Sequence, residues 1–341
     1  MAAGRVLLLG RGVYDYFEAI LVEGLVDLGF SVEGLASANY VQSVVTLEEV
    51  NPPYDLILVV RQFLGVLIAR PDWVGDTPVV FLDGRDDPYI DVRGLCRASR
   101  YLKRELLGFP GRPPKLLQGS FGVEHRYTLG YSPVTPWSER PIDLFCAMSV
   151  GTNLSREAYV HKVRRIGADM RLTLFSEATG ERAYDNRSGH PIPTPRYHGG
   201  LARSRIGLSV FGAGQECARF WEVLAAGALL LSERPTLAGV NLPVDGVEAL
   251  YFENRKQLEA LIAWVVQHPR EAEEMASAGH RWAMSHATGQ ALASRLLAGV
   301  APGNGPTNRS SGWILMIWAI AYNIRSWAYM VWWRWLRHRM I

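Results

Sequence analysis

Four short stretches of this sequence combine residue types and spacings that bear on chemistry. In the first, Gly10-Arg11-Gly12 with Asp15 lies between an apolar run and an amphipathic stretch, the place of a dinucleotide-binding turn. Asp15 replaces the third glycine of that fingerprint, and the next apolar run ends in Leu35-Ala36-Ser37 without the acid that would hold a ribose. A nicotinamide-dependent reaction is therefore disfavoured. The turn is either an ordinary tight connection or a surface on which Gly10, Arg11 and Gly12 face an acceptor. In the second stretch, Gly151-Thr152 leads to Arg156 across another junction of strand and helix. Free amides at a helix start and a fixed guanidinium suit a diphosphate, although Ser155 is equally an N-cap. The third, Asp83-Gly84-Arg85-Asp86-Asp87, closes an apolar run at the end where open α/β sheets place their ligands. Asp86 and Asp87 would there hold an acceptor or supply a base, or else form a solvated turn. The cluster is not the spaced acidic pair that grips a metal against a diphosphate, and no metal or other cofactor is expected. Lys103, beside Arg104 and Glu105, would face an anionic acceptor or water.

The fourth stretch is the most specific. An apolar run ends at Phe211, Gly212-Ala213-Gly214 follows, and a helix then carries Arg219 and Glu222 before Gly227 and another apolar run. Three positions apart, Arg219 and Glu222 share one helix face, as a functional pair or as an exposed ion pair of little energetic weight. The segment resembles the carboxy-terminal domain of the CgeB-like branch of the group 1 glycosyltransferases, over roughly residues 143–298. The resemblance implies the two-domain GT-B fold and a nucleotide-sugar donor. It places Glu222 at the donor ribose, Arg219 with the amides near Gly212 and Gly214 at the phosphates, and Gly151, Thr152 and Arg156 on the donor side. A vicinal diol offers two donors to one carboxylate, each charged hydrogen bond contributing about 1.5–3 kcal/mol. Related retaining enzymes carry two glutamates eight positions apart, and here the earlier position is Gly214. The stereochemical outcome therefore stays open, as does a second reading: a catalytically silent GT-B-like protein that binds a glycan or nucleotide.

The elements that would position these residues follow from hydrophobic periodicity. Short apolar runs alternate with amphipathic stretches from residue 5 onward, and continuous runs at 55–60 and 77–82 are of the kind parallel strands make when both faces are covered. The segment 128–140, rich in Pro, Ser and Trp, lacks periodicity, and the alternation restarts at 142. The expectation is an α/β protein of two Rossmann-like domains, residues 1–125 and 143–299, joined by a linker over 126–142. A chain of 341 residues, 48% apolar and 20% charged, is long enough for both. Three scattered cysteines suggest neither a zinc site nor a disulfide framework, and a cytoplasmic setting is expected. The net charge of +3 is carried by the tail: five of the 36 basic residues lie beyond Val300, where there is no acid. The near-neutral remainder argues against nucleic acid as a partner.

The last 29 residues hold six of the eleven tryptophans, after a Gly-, Pro- and Asn-rich stretch over 300–312 expected to be a flexible tether. Residues 313–341 read as a membrane-interacting helix. A full span would hold Arg325 mid-bilayer, at about 2.5–3.5 kcal/mol, and would export the terminal arginines. Peripheral attachment to the cytoplasmic face avoids both costs, and packing on the body as a missing piece of core is the alternative. Such a tail suits a glycolipid or other envelope glycan as acceptor.

Overall fold

The structure is a computed structural model that describes residues 4–10, 15–35, 41, 43–149, 153, 155–179, 195–238, 241–298, 300 and 312–340. The first apolar run forms strand β1 (Gly4–Leu9), which leads to helix α1 (Tyr16–Asp27). Asp15 caps that helix, its carboxylate accepting from the amides of Phe17 at 2.9 Å and Glu18 at 3.4 Å. The residue that breaks the dinucleotide fingerprint thus places a negative charge on the amides a phosphate would need. Strands β2 (Phe30–Gly34), β3 (Ser43–Val44) and β4 (Leu56–Val60) follow, then α2 (Leu64–Ala69), α3 (Pro71–Val74), β5 (Val79–Asp83), α4 (Val92–Arg97), β6 (Arg100–Lys103) and β7 (Leu116–Gln118). They complete a seven-stranded parallel sheet in the order β3-β2-β1-β4-β5-β6-β7.

A short helix, α5 (His125–Gly130), occupies the start of the expected linker. The alternation then restarts with β8 (Ile142–Ser149), α6 (Ser155–Met170), β9 (Leu174–Thr179), α7 (Pro195–Ala202), β10 (Ser204–Ser209), α8 (Ala218–Ala225), β11 (Leu229–Glu233) and β12 (Leu250–Phe252). These strands form a second parallel sheet, ordered β12-β11-β10-β8-β9. Three helices follow, α9 (Arg255–Gln267), α10 (Pro269–His286) and α11 (Gly289–Ala298), and then α12 (Gly312–Met340).

Continuous apolar strands arise because each sheet is covered on both faces. In β1, Val6 and Leu8 pack with α1 on one face, while Leu7 and Leu9 belong to the opposite core with Trp73, Leu95 and Tyr101. The second sheet divides likewise: Phe145 and Ala147 face α8, and Leu144, Cys146 and Met148 face α6 and α9. Full burial of each such side chain contributes about 1.5–3 kcal/mol.

The last helix of the stretch expected to form the second domain reaches the first sheet. After α10 the chain crosses back: the Val123 amide donates to Ala287 O at 2.7 Å, and α11 lies on α1, with Leu292, Ala293 and Leu296 in the core under Val6 and Leu8. The two helices meet so closely that a Cβ on Gly24 would overlap the Gly289 carbonyl. Helix α12 also returns to the first sheet. Ala319 and Tyr322 join the Leu7/Leu9 core, Tyr322 Oη accepts from the Leu107 amide at 2.9 Å, and Asn323 exchanges hydrogen bonds with both backbone groups of Ile90 at 2.8 and 3.0 Å. The aromatic tail is therefore docked on the body along one face, and the other face leaves Trp313, Ile317, Ile320, Ile324, Trp327 and Val331 exposed. The proposed tether over 301–311 lies outside the described residues.

Candidate functional site

The carboxyl ends of β8 and β10 bring the second-domain residues together. Asn153 donates to the carbonyls of Phe211 at 3.1 Å and Gly212 at 3.2 Å. Arg156, buried at the start of α6, spends its guanidinium on backbone: Nε on Phe211 O at 2.9 Å, Nη1 on Ser149 O at 3.0 Å and Nη2 on Val210 O at 3.0 Å. Arg156 thus braces the strand ends, and the charge expected to meet a diphosphate is engaged with carbonyls. A Cβ on Gly212 would meet Arg156 Nη2 at 2.9 Å, so a larger residue there would shift the guanidinium. Gly151 and Thr152 lie outside the described residues, as do Arg11 and Gly12 of the first turn. Gly10, at the end of β1, packs against Glu18.

Arg219 and Glu222 do share a face of α8, and a set of tyrosines connects them. Glu222 is nearly buried, accepting from Tyr127 Oη at 2.9 Å and Tyr197 Oη at 2.5 Å, and Arg219 Nε donates to Tyr197 Oη at 3.2 Å. The exposed ion-pair reading therefore fails: these groups sit inside the protein. Burial, followed by the Glu222 charge, pushes the Tyr127 and Tyr197 hydroxyls well above their ordinary range, so both stay protonated donors. With each Glu222 oxygen taking a tyrosine proton, a ribose diol would have to use the remaining lone pair of each. Arg219 Nη1 is the contrast: it is buried and has no hydrogen-bond partner among the described residues. A buried guanidinium N–H without an acceptor costs free energy until an acceptor arrives.

The acidic cluster of the first domain is divided by its partners. Asp83, at the end of β5, accepts from Arg85 Nε at 2.9 Å, Lys103 Nζ at 3.1 Å and the Tyr101 hydroxyl. Burial would raise its carboxyl, but Arg85 and Lys103 more than offset that and hold it down at about 2. Lys103 corrects the sequence expectation: it is fully buried between Asp83 and Asp87, 3.8 Å from the latter, and faces neither an acceptor nor water. Asp87 also caps the Tyr89 amide at 2.9 Å. Asp86 is different, with a side chain 57% exposed and paired with Arg104 Nη2.

Arg104, Glu105 and Glu216, which spacing did not single out, join the two domains. The fully buried Arg104 donates to Gly84 O at 3.1 Å, Glu105 Oε1 at 2.8 Å and Glu216 O at 2.9 Å, its guanidinium over the Phe121 ring at 4.4 Å. Glu105 reaches the glycine-rich loop of the second domain, accepting from the amides of Gln215 at 2.9 Å and Glu216 at 3.1 Å. A Cβ on Gly214 would overlap that carboxylate. The amides leading into α8, which the family resemblance offers to donor phosphates, are thus occupied by a carboxylate from the first domain. Glu216 returns the contact, accepting from Ser120 Oγ at 2.6 Å, the Phe121 amide at 3.0 Å and Trp221 Nε1 at 2.7 Å. Among the described residues no group of three or more His, Cys, Asp or Glu side chains is placed to hold a metal.

Burial pushes the Glu216 carboxyl from 4.5 up to about 7, which sets a pH dependence. Because the folded state keeps this proton to higher pH than the unfolded chain, its contribution is complete below about 4.5 and is lost as pH rises to about 7. The loss is on the order of 3 kcal/mol. Urea unfolding of the wild type and Glu216→Gln across this range should show the decline in the wild type and a flatter profile in the variant.

With the geometry in place, comparison with known proteins adds three findings. Residues 156–298 match the family described as glycosyl transferase-like, a span that includes Arg156, Gly212, Gly214, Arg219 and Glu222. No curated protein matches the chain. Among solved structures, an alpha-glucosyltransferase in complex with UDP and a 13-mer DNA is similar at a TM-score of 0.59 and 10% identity, over 87% of this chain and 99% of that one. A glycosyltransferase from Rickettsia africae ESF-5 gives 0.52 at 11% identity, over 86% and 97%. A putative UDP-N-acetylglucosamine 2-epimerase from Listeria monocytogenes gives 0.51 at 13% identity, over 86% and 95%. At these identities the likeness is one of fold.

Proposed function

We propose, from the premise that residues 156–298 belong to the glycosyl transferase-like family within a chain of GT-B fold, that this protein transfers a sugar from a nucleotide-sugar donor to an acceptor hydroxyl. The observation that carries the reading is the buried Nη1 of Arg219 at the start of α8, inside the matched span and without a partner among the described residues. A donor diphosphate supplies the acceptor atom that this N–H lacks, in a setting where a charged hydrogen bond is strong. Neighbours solved with UDP and with UDP-glucose support a nucleotide-sugar as the ligand class. Asp86, on the first-domain side of the cleft, is the carboxylate left open to meet an acceptor hydroxyl. Charge neutralisation by Arg219 needs no metal, so chelation with EDTA should leave transfer unchanged.

The tail adds a location. Trp313–Trp332 is long and apolar enough to cross a bilayer, but a crossing would strip Ala319 and Tyr322 from the core they share with Leu7 and Leu9. A helix docked on one face and apolar on the other suits attachment to the cytoplasmic membrane surface, with a glycolipid or envelope glycan as acceptor. One feature favours the silent binding protein instead: Gly214 stands where related retaining enzymes carry a glutamate, and Glu105 fills the adjacent amides. Incubating the protein with nucleotide-sugars and a membrane extract separates the two readings. Release of nucleoside diphosphate coupled to labelled glycolipid supports transfer; tight nucleotide binding without release across a full donor panel supports the silent binder. An epimerase, the activity one neighbour's name carries, would convert the donor sugar without an acceptor.

A further inference from the structure

The two faces of α12 do different work, and a cavity lies along their boundary. On the docked side, Trp318 Nε1 donates to Pro110 O at 3.1 Å, and Tyr329 Oη lies 3.0 Å from Thr236 Oγ1 and 3.2 Å from Gln215 Nε2. The helix is therefore held by both domains. On the outer side, Trp313, Ile317, Ile320, Ile324, Trp327 and Val331 recur at alternating steps of four and three, a straight apolar stripe about 27 Å long. Between these faces lies a cavity of about 260 Å³, lined by Gly108, Phe109, Thr236, Arg325, Ser326 and Tyr329 among others. Its one charged group is Arg325, exposed, with its guanidinium 5.4 Å from the Phe109 ring and no carboxylate partner among the described residues. Tyr329 and Leu107 also line a second cavity, of about 10 Å³, with Asp86, Glu105 and Gly214, room for a single water beside the loop of the candidate donor site.

The geometry points to a binding site in the Arg325 cavity for one lipid headgroup that ends in a phosphate monoester, its acyl chains continuing along the apolar stripe of α12. The inference rests on the membrane attachment proposed above and names the chemistry of the lipid. Two features select this occupant. The Arg325 guanidinium, with no carboxylate partner among the described residues, presents a fork of N–H donors to a phosphate's several acceptor oxygens, while the Thr236 and Tyr329 hydroxyls beside it are engaged with each other and with Gln215. The stripe continues from the same helix turn, Ile324 and Trp327 flanking Arg325, so one amphiphile meets both surfaces.

The test uses the full chain with vesicles of phosphatidylcholine alone, with phosphatidic acid, and with cholesteryl hemisuccinate at matched surface charge, a carboxylate in place of a phosphate. Wild type should float with all anionic vesicles and prefer those with phosphatidic acid, whose phosphate is a monoester uncapped by choline, by about fivefold or more. Arg325→Ala should still float but lose the preference, and Arg325→Lys should recover part of it. Ile320→Glu with Ile324→Glu, both at exposed positions, should abolish flotation with every vesicle. If wild type floats yet prefers phosphate and carboxylate vesicles equally, or Arg325→Ala keeps the preference, the headgroup site is overturned while the membrane attachment stands. No flotation of wild type overturns both. Equal competition by glycerol 3-phosphate would assign a soluble phosphate instead of a lipid, and a dimer in sedimentation that the Ile320→Glu/Ile324→Glu protein loses would assign the stripe to a second copy; either result overturns the proposal.

Discussion

Replacing Arg219 by alanine is expected to weaken binding of a nucleoside diphosphate by about 10- to 150-fold while leaving the bare nucleoside nearly unaffected. The selectivity follows from where the guanidinium's donors go. Its Nε is committed to Tyr197, and its Nη1 is buried without a partner among the described residues. Phosphate is the part of the ligand that supplies the missing acceptor. The same geometry gives the variant a second signature, because removing a buried donor that nothing satisfies costs the fold little and can stabilise it. Calorimetric titration with both ligands, beside urea unfolding of both proteins, makes the comparison. Equal loss for nucleoside and nucleoside diphosphate, or a large loss of stability, would show that Arg219 holds the tyrosine network together and does not meet a phosphate.

The second large effect belongs to Arg104. Arg104→Ala should destabilise the protein by about 3–5 kcal/mol, the range for breaking a buried ion pair by removing one partner. The cost comes from what is left behind: Glu105 loses its cation while buried at the domain contact, and the carbonyls of Gly84 and Glu216 lose a donor. Arg104→Lys should recover only part, since a single ammonium cannot reach Gly84, Asp86, Glu105 and Glu216 together. Urea unfolding measures both. A change within about 0.5 kcal/mol for the alanine variant, the range of ordinary surface substitutions, would mean that water reaches this contact and screens it.

The α/β order of the chain was legible where runs of apolar residues are long enough to need cover on both faces, as in β4, β5 and β8. The loop and helix of the candidate donor site were legible too, because Gly212, Gly214, Arg219 and Glu222 lie within a few residues of one another. What spacing did not carry is which distant groups they meet. Tyr127 comes from a helix in the expected linker and Tyr197 from α7, yet both deliver hydroxyls to Glu222. Lys103-Arg104-Glu105 reads as a run that faces an anionic acceptor or water, and all three side chains are buried because Asp83, Asp86 and two loop amides wait for them. The tail shows the limit of periodicity most plainly. Both faces of α12 are apolar, so the pattern does not say which one docks; small and hydroxylated residues, Ala319, Tyr322 and Ser326, make the inner face.

The return of α11 to the first domain has a consequence for how the chain is made. Synthesis proceeds from the amino terminus, so the first sheet is finished as polypeptide about 170 residues before the helix that covers α1 emerges. At ordinary translation rates that interval is roughly 10 to 35 s. During it, the face of α1 that will receive Leu292 and Leu296 has no cover, while the second domain, translated later, already has its own sheet and helices. The domain begun first is completed last, and its uncovered apolar face is the surface a ribosome-associated chaperone would meet on the nascent chain.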